Sequence, residues 1–201
     1  VSVGATINLL LAAVTARGSS KIENAATEPD VVAFGRALQE MGAQIDGLGS
    51  RTLEIQGVDH LNTGTFRNTP DRIELGTYIL MAATASEPGT PVEIHKGNHE
   101  HLGPVFKEKL AETGVDVSYG DDTVTVVRPD ELRPVSIETA PFPGFATDLQ
   151  AQWTVLLGIT DGTATVTDTI YDDRFKHVPE LQRLGMEIDV DGNTATVHGG
   201  A

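Results

Sequence analysis

Cysteine is absent from the 201 residues. No disulfide, thiolate metal ligand or thiol nucleophile can therefore be built from this sequence, and a reducing compartment such as the cytoplasm is expected. Basic residues are scarce: 14 Lys and Arg stand against 29 Asp and Glu, a net charge of −15. Such a chain does not coat nucleic acid or anionic membranes nonspecifically, and the acidic excess reads as a solvated surface. Long apolar runs are missing too. None reaches the roughly 18 residues of a membrane-spanning helix. The run NLLLAAVTA is too short and lacks the flanks of a signal peptide. The chain opens on Val1, inside what reads as a motif, which points to an interior piece of a longer polypeptide.

What is present is a repeat. Hydrophobic residues make up 39% of the chain, enough for a core and for one or two domains. Three Leu-x-x-x-Gly steps end at Gly42, Gly114 and Gly185, 72 and 71 residues apart. Each closes an amphipathic stretch: PDVVAFGRALQEMG, GPVFKEKLAETG and VPELQRLG. A glycine there reads as the left-handed residue that follows a helix. After each glycine come two short alternating strands: AQIDG and TLEIQGV, VDVSYG and TVTVVRP, MEIDVDG and TATVHGG. Another strand precedes each amphipathic helix: SKIEN, PVEIHKG and TATVTDT. Before that lies a smoother apolar helix: TINLLLAAVTA, IELGTYILMAATA and DLQAQWTVLLGIT. Small residues on most of its sides predict full burial. PVSIET, residues 134–139, is a further strand leading into the third unit.

The predicted unit is thus helix, strand, helix, strand, strand, present three times. One unit cannot bury its sheet and inner helix alone. Packing several around their apolar helices gives an α/β body with sheets outside and helices within. The alternative is an open α/β sandwich of independent repeats.

Several segments carry candidate chemistry. APFPGFATDLQAQW packs two prolines and a glycine into a tight turn and restarts at once as a helix opening with Asp148. With Thr147 as N-cap, Asp148 falls in the first turn, where free N–H groups and the helix dipole favour a negative charge. Locally it reads either as a capping acid or as a general base toward a positioned hydroxyl. Val1, Ser2, Val3 and Gly4 open an apolar helix and read as a plain helix start or as an anion cradle. Arg174 reads as an anion clamp or as the partner of Asp172 or Asp173. HKGNHEH gathers His95, His99, His101 and Glu100, but Gly97 breaks any helical register, so a solvated loop is expected rather than a metal site. Glu23 and Glu28 read as acids complementing a helix start. Trp153, the single Trp, stands five residues after Asp148 and is a candidate reporter of ligand.

Together VSVGAT, IENAATEPDVV, TPDRIELGTY, TAPFPGFATDLQAQW and DTIYDDRFKHVPELQRLG resemble the UDP-N-acetylglucosamine 1-carboxyvinyltransferase family, over essentially the whole chain. The resemblance implies an inside-out α/β barrel in each of two domains, each with three repeats. Residues 1–68 would be the last unit of the first domain, and residues 69–201 the first two units of the second. It implies enolpyruvyl transfer from phosphoenolpyruvate to UDP-N-acetylglucosamine, the first committed step of peptidoglycan synthesis, in the cytoplasm and without a cofactor or metal. Asp148 would be the base that deprotonates the sugar hydroxyl. Val1, Ser2, Val3 and Gly4 would hold the nucleotide sugar, Ile170 would contact it through the backbone, and Tyr171 and Arg174 lie beside that contact. The family's groups for phosphoenolpyruvate, an early Lys-Asn pair, a loop Cys or Asp and a late Arg, match nothing in this chain. The chain by itself is therefore expected to be inactive and to need the rest of the enzyme. Two rivals are a non-catalytic repeat module binding a nucleotide sugar or partner protein, and a transferase for a shikimate-type acceptor. TDLQAQW and RFKHVPELQRLG weigh against the second.

Overall fold

A computed structural model describes residues 1–200. The chain divides into two compact units, Val1–Thr69 and Pro70–Ala201. The first holds one repeat: helix α1 (Val3–Ala13), strand β1 (Ser19–Glu23), helix α2 (Pro29–Glu40), and strands β2 (Gln44–Asp46) and β3 (Thr52–Gln56). The second holds two. One runs α3 (Arg72–Ala85), β4 (Pro91–His95), α4 (Pro104–Glu112), β5 (Asp116–Tyr119) and β6 (Thr123–Val127). The other is entered by the short strand β7 (Ile137–Glu138). It continues as α5 (Gln150–Gly158), β8 (Thr163–Thr167), α6 (Val178–Arg183), β9 (Glu187–Asp191) and β10 (Thr194–His198).

All three sheets share one topology. The last strand of each repeat lies in the middle, antiparallel to both the hairpin strand before it and the strand before the outer helix, in the orders β1-β3-β2, β4-β6-β5 and β8-β10-β9. The third sheet gains β7 as a parallel edge strand on β8. The repeat is set by local chemistry. Gly42, Gly114 and Gly185 stop the outer helices at φ of +98°, +94° and +102°, a conformation that costs other residues a clash at Cβ. Pro29, Pro104 and Pro179 sit in the first helical turns, where a missing N–H is harmless.

The inner helices differ from the expectation of full burial. In the second unit, α5 meets it: Trp153, Leu156 and Leu157 are wholly buried between α3 and strands β8 and β10. On α3, Tyr78 and Met81 remain exposed while Ile79, Leu80 and Ala83 enter the core. On α1, Leu10 is buried but Leu9 and Leu11 are 52% and 49% exposed. The physical reason is the number of covering elements. Helix α1 has one sheet and α2 to pack on, whereas α5 has a neighbouring inner helix as well as its sheet. The described residues of the second unit supply two repeats of the three that the barrel expected from the resemblance would need.

Trp153 anchors the second unit's core. Its ring meets Phe145 at 5.3 Å and Phe106 at 6.5 Å, both edge-on, and its indole N–H donates to the Val135 carbonyl at 3.0 Å. Being wholly buried, it faces the core and touches no open cleft, so it is not the direct ligand reporter its position in the sequence suggests. Trp153→Ala removes the ring and strands that carbonyl. It should destabilise the second unit by about 3–5 kcal/mol, read as a lowered midpoint of urea unfolding followed by circular dichroism.

Candidate functional site

The turn that restarts the chain before α5 is braced from within. Phe145 is wholly buried, its carbonyl accepts from Ala140 N–H at 3.0 Å, and Gly144 N–H donates to Pro141 O at 2.9 Å. The Phe142–Pro143 peptide is cis. A Cβ on Gly144 would stand 2.5 Å from the Ala140 Cβ, so only glycine fits this close approach. The turn delivers Thr147–Leu149 as a single 3₁₀ turn, with α5 proper starting at Gln150.

Thr147 is not the expected N-cap. Ala146 takes that position, and the Thr147 hydroxyl instead donates to Asp168 Oδ2 at 2.5 Å. Asp168 is the residue that inspection of the sequence missed. It follows β8, is 1% exposed, and accepts the backbone N–H groups of Ile170 at 2.9 Å and Tyr171 at 3.0 Å. Thr139 also bonds to it, and the backbone of Asp168 pairs with Asn193 in both directions. Burial pushes its carboxyl up, but the bonds from Thr147, Tyr171, Ile170 and Thr139 outweigh this and hold it below the usual carboxylate range. The available signal was an Asp just past a strand with two N–H groups following, the pattern of a local side-chain turn.

Asp148 itself is exposed at the mouth of a cleft of about 500 Å³ lined also by Tyr171, Arg174 and His177. Arg174 Nη2 donates to Asp148 Oδ1 at 2.5 Å. Of the two readings of Arg174, pairing with Asp172 or Asp173 is not observed. Asp173 pairs with Lys176 at 3.3 Å, and the backbone turn from Asp168 carries Arg174 across to face Asp148. The Arg174 guanidinium lies 5.1 Å from the centre of the exposed Tyr171 ring. Ile170 does not end a strand: β8 stops at Thr167, and the Ile170 N–H is taken by Asp168. Any backbone contact from Ile170 to a ligand must therefore use its carbonyl.

In the other unit, Ser2 caps α1 by accepting the Ala5 N–H at 3.3 Å, and Val1 is exposed. Val3 and Gly4 form the first turn of α1. Gly4 is singular among the glycines. Its φ is not positive, and a Cβ built on it would meet no described atom within 4 Å. Nothing within the described chain requires a glycine there.

The remaining candidates are placed elsewhere. Glu23 pairs with Lys21 at 2.9 Å on β1, and Glu28 occupies the N-cap position of α2 without a side-chain cap bond. Glu28 thus stands at the helix start as expected, buried and without a cap bond, whereas the strand holds Glu23 away from it. His99 stacks on Tyr119 at 4.9 Å and lies 2.8 Å from Lys107 Nζ. Among the described residues no three His, Asp or Glu side chains gather as a metal ion would require, and no helix is long and apolar enough to cross a membrane.

Comparison with known proteins places this geometry in context. The family model for EPSP synthase (3-phosphoshikimate 1-carboxyvinyltransferase) matches residues 1–201. The chain is 46% identical over 198 residues to the UDP-N-acetylglucosamine 1-carboxyvinyltransferase of Chlorobaculum parvum, covering 98% of this chain and 46% of that protein. It is 47% identical over 199 residues to the protein of that name from Ruegeria pomeroyi, with 98% and 46% covered. To the Dinoroseobacter shibae protein it is 48% identical over 200 residues, with 99% and 46% covered. The chain thus spans about half the length of these relatives. Among solved structures, the enolpyruvyl transferase NikO from Streptomyces tendae superposes with a TM-score of 0.84 at 26% identity, over 98% of this chain and 46% of that one.

Asp168 yields a test that needs no substrate. Its folded carboxyl is held low, so its contribution to stability is present above the unfolded value of about 4 and is lost as pH falls through the lower folded value. Asp168→Asn should cost about 1–3 kcal/mol at pH 7. The gap from the unmodified chain should narrow as the pH drops below about 4, as read from urea midpoints across that range.

Proposed function

The chain belongs to the EPSP synthase family of 1-carboxyvinyltransferases, and on that premise we propose that it forms part of an enzyme transferring the enolpyruvyl group of phosphoenolpyruvate to UDP-N-acetylglucosamine. This is the step that commits the sugar to peptidoglycan, and so to cell wall biogenesis, cell shape and division, and we assign it to the cytoplasm. The acceptor is suggested by the names of the relatives at 46–48% identity. Residues 1–68 act as the last repeat of one domain and residues 69–201 as the first two of another, with the site completed by the rest of the enzyme. The observation that carries the reading is Asp148: a carboxylate exposed at a cleft mouth, on a turn whose neighbouring residue is tied to a buried acid.

In this reading Asp148 accepts the proton of the attacking sugar hydroxyl. The hydroxyl oxygen then bonds to the central carbon of phosphoenolpyruvate, whose methylene carbon gains a proton from elsewhere in the enzyme. The tetrahedral adduct collapses with loss of phosphate and of one methyl proton, giving the enolpyruvyl ether. Arg174 orients the carboxylate and, with Tyr171, flanks the ligand. The Ile170 carbonyl faces the nucleotide sugar. Val1, Ser2, Val3 and Gly4, in the first unit, offer a helix start to a nucleotide sugar, and Gly4 leaves room for close approach of a ligand.

Two outcomes test this in the full-length polypeptide. Asp148→Asn keeps the size of the side chain but removes the base. Phosphate release dependent on UDP-N-acetylglucosamine should fall by about 10²–10⁴. Near-normal release would refute the role. Gly4→Ala should leave stability unchanged or raise it by up to about 1 kcal/mol, since alanine is the better helix former. Titration calorimetry should show affinity for UDP-N-acetylglucosamine weakened by about tenfold or more, equivalent to about 1.4 kcal/mol. Unchanged affinity would remove Gly4 from the site.

A further inference from the structure

Behind the Asp148–Arg174 pair, the Arg174 carbonyl oxygen is held from α5: Gln150 Nε2 donates to it at 3.3 Å. Gln150 opens α5 and is 2% exposed. His177 is the residue before α6. The start of α5 is thus tied to the loop that leads into α6, and Gln150 and His177 both line the cleft that holds Asp148.

Each of these side chains carries a second polar atom, Gln150 Oε1 and His177 Nε2. Both atoms are buried with no hydrogen-bond partner among the described residues. A buried polar atom left unpaired is destabilising, and Met or Phe would fill similar space without that cost. Packing therefore does not account for the choice of Gln at position 150, and its bond to the Arg174 carbonyl does.

We propose that Gln150 is a positioning residue for the Asp148 carboxylate: by pinning the Arg174 backbone it helps fix where the guanidinium meets Asp148. It acts through a backbone whose side chain reaches from the Tyr171 ring to the carboxylate. The consequence for turnover rests on the reading of Asp148 as the base, whereas the positional claim does not.

The test uses Gln150→Met and Gln150→Leu, which lose the donor, and Gln150→His, which keeps one, all in the full-length polypeptide. The first two should lower kcat by about tenfold or more while KM for UDP-N-acetylglucosamine moves by less than about threefold. Gln150→His should stay within about threefold of the parent kcat. Folded Gln150→Met with unchanged kcat would overturn the proposal, as would equal losses in Gln150→His and Gln150→Met. If Gln150→Met does not fold, Gln150→Leu decides. Crystal structures separate this claim from the function itself: a guanidinium displaced from Asp148 in a donor-less variant supports positioning, and one still in place overturns it whatever the substrate. Failure of the base assignment shows instead as undiminished turnover in Asp148→Asn.

Discussion

One buried carboxylate organises both walls of the cleft. Asp168 binds Thr147 on one side and the Ile170 and Tyr171 backbone on the other, while Asn193 holds its own backbone from the β9–β10 hairpin. A neutral side chain could accept some of these bonds, but a buried anion accepts them more strongly, and they in turn offset its desolvation. The turn bearing Asp148 and the turn bearing Arg174 come from segments more than 20 residues apart. Their common dependence on Asp168 is what makes the distance between them a fixed quantity.

That dependence explains why the site sits where it does. The repeat itself is rigid: three sheets with the same strand order, each stopped and restarted by glycine, proline and a hairpin. The variable parts are the entries to the inner helices and the exits from the strands that follow. In the third repeat both are elaborated, the entry by β7 and the PFPGF turn, the exit by the Asp168 turn. The geometry around Asp148 is thus carried on loops that a regular scaffold holds in place.

Much of this was legible in the sequence because it is local. Helix ends at Gly42, Gly114 and Gly185, prolines in first turns and alternating strands each announce themselves within a few residues. The exposure of Leu9, Leu11 and Met81 was not legible, since burial depends on what covers a helix and not on the helix's own composition. Which of its two readings Arg174 follows was not legible for a related reason. Asp172 and Asp173 are nearer along the chain, yet the turn imposed by Asp168 points the guanidinium away from them to Asp148. Asp168 looked like one acid among 29, and only the fold brings Thr139, Thr147 and Asn193 to it.

Comparison of the helix entries shows what leaves Asp148 without a capping role. Each inner helix is preceded by a small polar residue: Ser2, Asp71 and Asp148. Ser2 spends its oxygen on the Ala5 N–H, and Asp71 accepts the N–H groups of Ile73 and Glu74 at 2.7 and 3.1 Å. Both are consumed as caps. Before α5, a 3₁₀ turn separates Asp148 from the start of the helix, and anchoring passes to Thr147 and Asp168. With the structural task done by its neighbours, the exposed Asp148 carboxylate caps no helix and pairs with Arg174 at the cleft. Comparable helix entries thus hold a capping acid in one copy and an acid with no capping bond in another. The difference lies in who satisfies the backbone and not in the residue type.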